Sequence, residues 1–243
     1  MMVDNRGDRC HARSLVGVQA RPYELAMFPL GEVLVPGAIL PLHVFEPRYR
    51  ALMEHLTDGS DAPQARGEFG VVLIERGSEV GGDDVRSAIG TAARIAEARR
   101  FDDGRWAVVV VGVRRVEVTE WLPDDPWPRA MAVDLADEPS ALGSAEATEL
   151  IRSTTAQLRR VLATAAELGQ SGAPATVEVA DDLVAASYQV TALGPFGPLD
   201  RHRLLEASGP TQRLEEASRL LVEQRELLDL HLGADPDSPP SGS

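Results

Sequence analysis

Histidine and cysteine, the side chains most often used as catalysts near neutral pH, are sparse and isolated in this sequence. The chain has five histidines and one cysteine, Cys10, among its 243 residues. His43 lies in an alternating apolar run that predicts a strand, and His55 lies in a run that predicts a helix. Neither has a partnered serine or cysteine nearby that it could activate as a nucleophile. We therefore predict no catalytic residue.

Pairs of adjacent aspartates also suggest chemistry, because carboxylates bind hard cations. They occur at 83–84, 102–103, 124–125 and 181–182. Each pair lies beside a glycine or proline turn or at a predicted helix start, and none has a histidine or a third carboxylate at ligand spacing. Adjacent carboxylates in such places are usually solvated turn residues. We predict no metal and no other cofactor.

Every basic side chain in the sequence is an arginine, and lysine is absent. Arginine does not deprotonate in proteins, so it cannot form a Schiff base or act as the base of a serine–lysine pair. A phosphate-binding loop that ends in Gly-Lys-Ser/Thr also needs the lysine, which contacts the terminal phosphates. The prediction is that this chain is not an enzyme of these classes and has no visible catalytic constellation of another kind.

The net charge of −14 argues against nucleic acid as a partner. Nucleic-acid-binding proteins usually neutralise several phosphates with clustered basic residues. Here residues 24–138 and residues 139–232 each hold more acidic than basic side chains. No apolar run approaches the ~20 residues that cross a bilayer, so no membrane partner is expected. A single cysteine is typical of the cytoplasm, which we predict as the location.

Residues 28–50 form the most informative part of the sequence. An apolar strand end is followed by a proline–glycine turn, a second alternating run, and a helix whose first residue is a proline, where the missing N–H has no cost. We interpret the carboxylate and arginine near that helix start as a structural joint with a tyrosine packed below them. The residues of this motif are Phe28, Pro29, Leu30, Pro36, Gly37, Phe45, Glu46, Arg48 and Tyr49.

The motif resembles the opening of the N-terminal, substrate-binding domain of the Lon protease family. A second likeness lies at Leu204-Leu205-Glu206, followed by a helix that starts at Pro210, so the resemblance covers roughly residues 25–232. It implies an α+β fold, with an N-terminal PUA-like β-barrel followed by a C-terminal α-helical bundle. The nucleotide and protease sites of that family require lysine, so this chain is similar to the substrate-binding domain as a stand-alone protein.

The periodicity of the sequence predicts four regions: a disordered arm over 1–23, the barrel over 24–138, the helical domain over 139–232 and a disordered tail over 233–243. Strands are predicted at 69–74, 90–100, 106–121 and 129–135, with a hairpin turn at 102–104 and a bulge or bend at Gly112. Helices are predicted at 145–168 with Ser144 as N-cap, at 177–188, at 199–207 and from Pro210 onward. The four arginines at 99, 100, 114 and 115 are predicted to lie on solvated strand faces and to pair with acidic neighbours, and a local positive stripe across neighbouring strands is the alternative.

The resemblance to the Lon substrate-binding domain implies a protein-recognition module. The partner would be an unfolded client or a component of a protease or chaperone, and the chain would act as adaptor, holder or regulator. We predict that the binding surface lies in the cleft between barrel and helices, because ligand sites favour such junctions. Apolar and aromatic residues suited to hold a polypeptide are Val33, Leu34, Val35, Trp121 and Trp127. The alternatives are an RNA-binding PUA-like protein and a small-molecule enzyme.

Overall fold

The computed structural model describes residues 21–57, 67–76 and 85–233. Most of the predicted arm, the predicted tail beyond Gly233 and the aspartate pair at 83–84 lie outside the described residues. The first strand begins at Tyr23 and the last helix ends at Gly233, so one residue of the predicted arm and one of the predicted tail belong to regular structure.

Five strands close into a ring. The described residues contain six strands: β1 (Tyr23–Leu30), β2 (Ile39–Val44), β3 (Glu68–Arg76), β4 (Val85–Arg100), β5 (Trp106–Leu122) and β6 (Arg129–Asp134). Strand β5 pairs with β4, β4 with β3, β3 with β1, β1 with β6, and β6 returns to β5. The β1–β3 pair is parallel and the other pairs are antiparallel. The α+β class and the barrel at the N-terminal side are thereby confirmed.

Strand β5 is long enough to pair with two different strands along one edge. Its residues 116–122 pair with β6, whereas its residues 106–111 pair with β2. The change of neighbour coincides with Gly112, where the register with β4 shifts and leaves one extra residue on β5. The predicted irregularity at Gly112 is confirmed. Among the described strands, β2 pairs with β5 alone.

Both faces of the sheet are apolar, which explains the near-continuous apolar runs in the strands. One face, drawn from all five strands of the ring, fills the interior with Leu25, Met27, Val72, Ala92, Val116, Val118, Ala130 and Ala132. The opposite face packs against helix α1 (Pro47–Thr57), whose buried residues are Tyr49, Leu52 and Met53 with Thr57. Trp106 is fully buried in this second layer.

The second half of the chain is helical. It contains α2 (Ser144–Glu167), α3 (Leu183–Leu193), α4 (Pro198–Glu206) and α5 (Pro210–Gly233). Their apolar stripes meet in one core, whose fully buried members include Leu158, Leu204, Leu214 and Leu221. The helix predicted from Pro210 is confirmed, and the third predicted helix is correct to within one residue at each end.

Two predicted helix starts are wrong. Ser144 is the first helical residue and not the cap, because Gly143 occupies the N-cap and donates its N–H to the Glu146 carboxylate at 2.9 Å. Helix α3 begins at Leu183 and not at Val177. The Asp182 carboxylate accepts the N–H of Ala185 at 2.8 Å, and this cap fixes the start six residues later than predicted.

A buried ionic network joins the barrel to the helices. Arg115 of β5 and Arg213 of α5 both pair with Asp137, at 2.8 and 2.6 Å, and they are 2% and 0% exposed. Arg115 also donates to the carbonyls of Leu205 and Ala207 at 2.8 and 2.7 Å. The end of α4 thus obtains the donors that a helix C-terminus lacks. The prediction that Arg115 lies on a solvated face is therefore wrong.

Candidate functional site

A cleft of ≈ 460 Å³ separates the β1–β2 connection from helices α3 and α4. One wall consists of residues 32–40, which include the apolar run at 33–35. The other wall consists of Tyr188, Gln189, Ala192, Leu193 and Arg201, with Glu178 from the segment before α3. The cleft is therefore the junction of barrel and helices that the sequence suggested, although the boundary between two separate domains stays a prediction.

The first wall is anchored to the barrel by its backbone. Gly37 has a φ of 80°, which only glycine adopts without strain, and it donates its N–H to the Gly112 carbonyl at 2.9 Å. Gly112 donates in turn to Ala38 at 2.9 Å, and the Thr91 hydroxyl donates to the Leu34 carbonyl at 2.6 Å. A Cβ on Gly112 would lie 2.3 Å from the carbonyl oxygen of Val35. The wall is consequently pressed against β5 at a position where no side chain fits.

The second wall is anchored by Tyr188. Its ring packs with Val35 and Leu205, its hydroxyl donates to Asp137 at 2.9 Å, and the Arg213 guanidinium lies 4.0 Å from the ring centre. Burial raises the pKa of the Tyr188 hydroxyl to about 12. The tyrosine stays neutral at physiological pH and acts as a structural donor.

Charged groups stand at the cleft beside the apolar residues. The Arg201 guanidinium is half-buried, and loss of hydration lowers its pKa, an effect that the charge of Glu32 opposes. Its Nε is buried and has no hydrogen-bond partner among the described residues. An apolar centre with charged edges suits the binding of a polypeptide segment better than catalysis. Apolar side chains of the segment would pack at the centre, and its polar groups would lie at the charged edges.

The five residues predicted to hold a polypeptide divide between separate places. Val33, Leu34 and Val35 line the cleft. Trp121 is half-buried against the ring interior, with the Arg86 guanidinium 4.6 Å from its ring centre. Trp127 packs against the second apolar layer, and its ring centre lies 5.2 Å from that of His55. Neither tryptophan lines the cleft.

The motif residues lie around helix α1. Phe28 stacks on Tyr49 with ring centres 4.0 Å apart, and Arg48 donates to the Glu46 carboxylate at 3.1 Å. The Arg48 guanidinium also lies 4.6 Å from the Tyr49 ring centre. Pro36 and Gly37 belong to the cleft wall, and Phe45 is 57% exposed. Glu46, Arg48 and Tyr49 are thus in contact where β2 leads into α1.

The described residues offer little for metal or membrane chemistry. Within residues 21–57, 67–76 and 85–233, no three histidine, cysteine, aspartate or glutamate side chains come together at metal-binding distance. The same part of the chain has no helix both long and apolar enough to span a bilayer.

The residues of the second cleft wall were not predicted from the sequence. Tyr188 and Arg201 face the 32–40 connection across more than 140 positions of the chain, and no local spacing connects them. The apolar pattern at 177–188 is the sequence signal for this wall. It predicts a helix, but it starts that helix six residues too early and gives no indication of a cleft.

A closed mixed barrel joined to a helical bundle, with an apolar cleft where they meet, defines the class of the protein. The sequence model described as the ATP-dependent protease La (LON) substrate-binding domain matches residues 24–223. The chain belongs to this family.

Relatives and solved structures agree with that assignment. Lon protease 2 of Herpetosiphon aurantiacus is 25% identical over 214 residues, which are 87% of this chain and 25% of the relative. Lon protease of Brevibacillus choshinensis is 27% identical over 220 residues, 88% of this chain and 27% of the relative. The chain thus spans about a quarter of the length of these relatives.

Two structures show the same fold. A Lon N-terminal domain protein from Xanthomonas campestris superposes with a TM-score of 0.56 at 28% identity, covering 82% of this chain and 98% of that one. The N-terminal domain of the Mycobacterium avium complex Lon protease has a TM-score of 0.53 at 17% identity, covering 84% and 98%. The matched region is the substrate-binding domain, and the ATPase and protease domains have no counterpart among the matched residues.

Proposed function

We propose that this chain is a non-catalytic recognition module that binds unfolded or partner polypeptides as an adaptor, a holder or a regulator. The observation that supports the proposal most is the apolar cleft between residues 32–40 and helix α3. Its volume of ≈ 460 Å³ accommodates a few side chains of an extended segment. The membership in a substrate-binding family supports the same function.

The charge of the chain narrows the class of client. A net charge of −14 repels acidic polymers and raises the on-rate of basic ones. We therefore propose polypeptide rather than RNA as the partner, and clients that combine apolar side chains with basic ones. We also propose that the barrel is PUA-like. We propose a cytoplasmic location, which the single cysteine favours.

The test uses a permanently unfolded basic client, reduced and carboxamidomethylated ribonuclease A. Hydrogen exchange of this chain at saturating client should show protection in residues 32–40 and in α3. Fluorescence anisotropy with labelled client should show binding that Val33→Asp weakens about 10-fold, because a buried charge in the apolar wall costs at least about 1.4 kcal/mol.

The matched control is Val222→Asp, which places the same charge on a half-exposed valine of α5. It adds the same negative charge to the molecule, so general repulsion of the client affects both variants equally. Equal affinities of the two variants, or protection only outside the cleft, would contradict the proposal.

A further inference from the structure

The sheet has an open seam between β1 and β2. Where β6 pairs with β5, the ring is closed; where β2 replaces β6 on β5, nothing among the described strands joins β2 to β1. A groove of ≈ 160 Å³ follows this seam, with Phe28–Leu30 on one side and Pro41–Glu46 on the other. Tyr49 of α1 also lines it. The two halves of the motif that identified the family therefore meet at one groove.

The backbone of β2 turns hydrogen-bonding groups toward the seam. The Ala38 carbonyl accepts the Gly112 N–H, and this register continues as Ile39↔Val111 and His43↔Ala107. The N–H and C=O groups of one residue point to the same side of a strand, and those of the next residue point to the other side. The backbone groups of Leu40, Leu42 and Val44 thus point toward β5. Those of Ile39, Pro41 and His43 point toward the seam.

Prolines keep the two edges apart. Pro41 faces the seam and has no N–H, as expected of a proline in an edge strand. On β1, Met27 donates its N–H to the Pro128 carbonyl at 2.7 Å, so Pro29 faces the same side as Met27 and also lacks a donor. Two edges without these donors cannot complete a ladder with each other. By this register, the amides of Ile39 and His43 and the neighbouring carbonyls have no partner on any described strand, and the seam stays open.

The floor and rim of the seam are apolar. Leu42, Val44 and Tyr49 are buried at its base, whereas Ile39 and Phe45 at its two ends are 68% and 57% exposed. The groove is smaller than the ~300–1,000 Å³ typical of sites for small organic ligands. It accommodates one apolar side chain. The flanking edge offers the N–H groups of Ile39 and His43 and the carbonyls of Ile39, Pro41 and His43.

We infer that the seam binds one extended polypeptide segment by strand addition to β2, with an aliphatic side chain of that segment in the groove. A peptide backbone matches the donors of Ile39 and His43 and the carbonyls beside them, and edge strands are a recurring place of such addition. The segment is basic, because the molecule carries a net charge of −14. This inference does not depend on the cleft, although Ile39 belongs to both places.

The direct test uses a capped ten-residue peptide of alternating valine and arginine. Amide exchange is followed by nuclear magnetic resonance on the full chain with and without peptide. The amides of Ile39 and His43 should become protected, whereas those of Leu40 and Leu42, already bonded within the sheet, should not change. Unchanged exchange at Ile39 and His43 with saturating peptide, or no binding of the peptide, would overturn the inference.

A pair of variants isolates the backbone donor. His43→Pro removes an N–H that faces the seam and leaves the ladder to β5 intact, whereas His43→Ala removes the same side chain and keeps the N–H. The proline variant should bind the peptide about 3- to 10-fold more weakly than the alanine variant, which is the loss of one hydrogen bond. Equal affinity of the two variants would overturn strand addition.

Peptide variants repeat the test on the unmodified protein. A peptide with N-methyl groups on every second residue loses the donors of one edge only, so one of the two alternating methylation patterns should abolish binding and the other should preserve it. Equal effects of both patterns would contradict pairing along one edge. An alternating valine–glutamate peptide should bind at least 10-fold more weakly, and equal affinity would refute the basic character of the segment.

Discussion

The side chain of Arg48 connects the parts of the strand–helix joint. It pairs with Glu46 and lies over the ring of Tyr49, and it is 23% exposed. We expect Arg48→Ala to lower the free energy of unfolding by about 1.5–3 kcal/mol, since a partly buried charged hydrogen bond is lost. Chemical denaturation measures the change.

Arg105→Ala is the control for the Arg48 variant. Its ion pair with Asp103 is exposed, so its removal should leave the denaturation midpoint almost unchanged. If Arg48→Ala had a normal midpoint but lost client binding, Arg48 would be a binding residue and the structural interpretation would fail.

Because the pKa of the Tyr188 hydroxyl is raised, we expect the folded protein to lose stability at alkaline pH. Its pKa in the folded protein is about 12, whereas a solvated tyrosine titrates near ~10. The folded state therefore holds this proton more tightly than the unfolded state. The stabilisation is complete below pH ~10 and is lost as pH rises from ~10 to ~12.

Denaturation between pH 9 and 12 tests the contribution of Tyr188. Tyr188→Phe removes both the titration and the hydrogen bond to Asp137, so the variant should be less stable at pH 9 and should lose less stability toward pH 12 than the parent. The difference between the two curves separates Tyr188 from other tyrosines. Parallel curves would mean that Tyr188 is not shielded in the folded state.

At the level of elements, the fit between β5 and the cleft wall depends on one missing side chain. Gly112→Ala would place a methyl group 2.3 Å from the Val35 carbonyl oxygen, so the 32–40 connection has to move. We expect a loss of about 1–3 kcal/mol, typical of overpacking, together with weaker binding of client in the cleft.

Gly172→Ala is the control for the Gly112 variant. Apart from its neighbours in the chain, no heavy atom of the described residues lies within 4 Å of the added methyl group, so thermal denaturation should show little change. A Gly112→Ala protein as stable as the parent would mean that the wall is not pressed against β5.

The elements differ in how well the sequence foretold them. Strong local signals gave correct results: the Asp-Gly turn between β4 and β5 has Gly104 at a φ of 81°, and the proline start of α5 is where it was expected. Helix α3 was misplaced because apolar residues at 177–180 mimic its pattern. In the structure the Ala180 N–H is bonded to the Gln189 side chain at 2.7 Å, a contact that no local pattern encodes.

The cleft could be predicted only in part, because only part of it is marked by a local sequence signal. The run at 33–35 is apolar beside a proline–glycine turn, which is a local signal, and it lies in the cleft. Trp121 and Trp127 are grouped with it by residue type, but each packs, partly buried, against a different apolar layer of the barrel. The burial of Arg115 is decided by the end of α4, some 90 positions away.

At the level of the whole molecule, the absence of lysine predicts an absence of activity. The purified chain should neither hydrolyse ATP nor cleave casein, because the lysine-dependent nucleotide and protease sites have no equivalent in this sequence. A phosphate-release assay and a fluorescent casein assay measure the two rates, with a Lon protease as positive control. Activity that persists through purification to homogeneity would reveal a different mechanism.

The network of Arg115, Asp137 and Arg213 has a mechanical consequence. Arg213 lies in the first turn of α5, a helix of 24 residues and so about 36 Å in length. That turn is fastened to the barrel, while Leu214, Leu221 and Leu228 further along the same helix pack in the helical core. One continuous helix therefore belongs to both halves of the molecule. A force that a bound polypeptide applies to the barrel passes through Arg213 into the packed bundle.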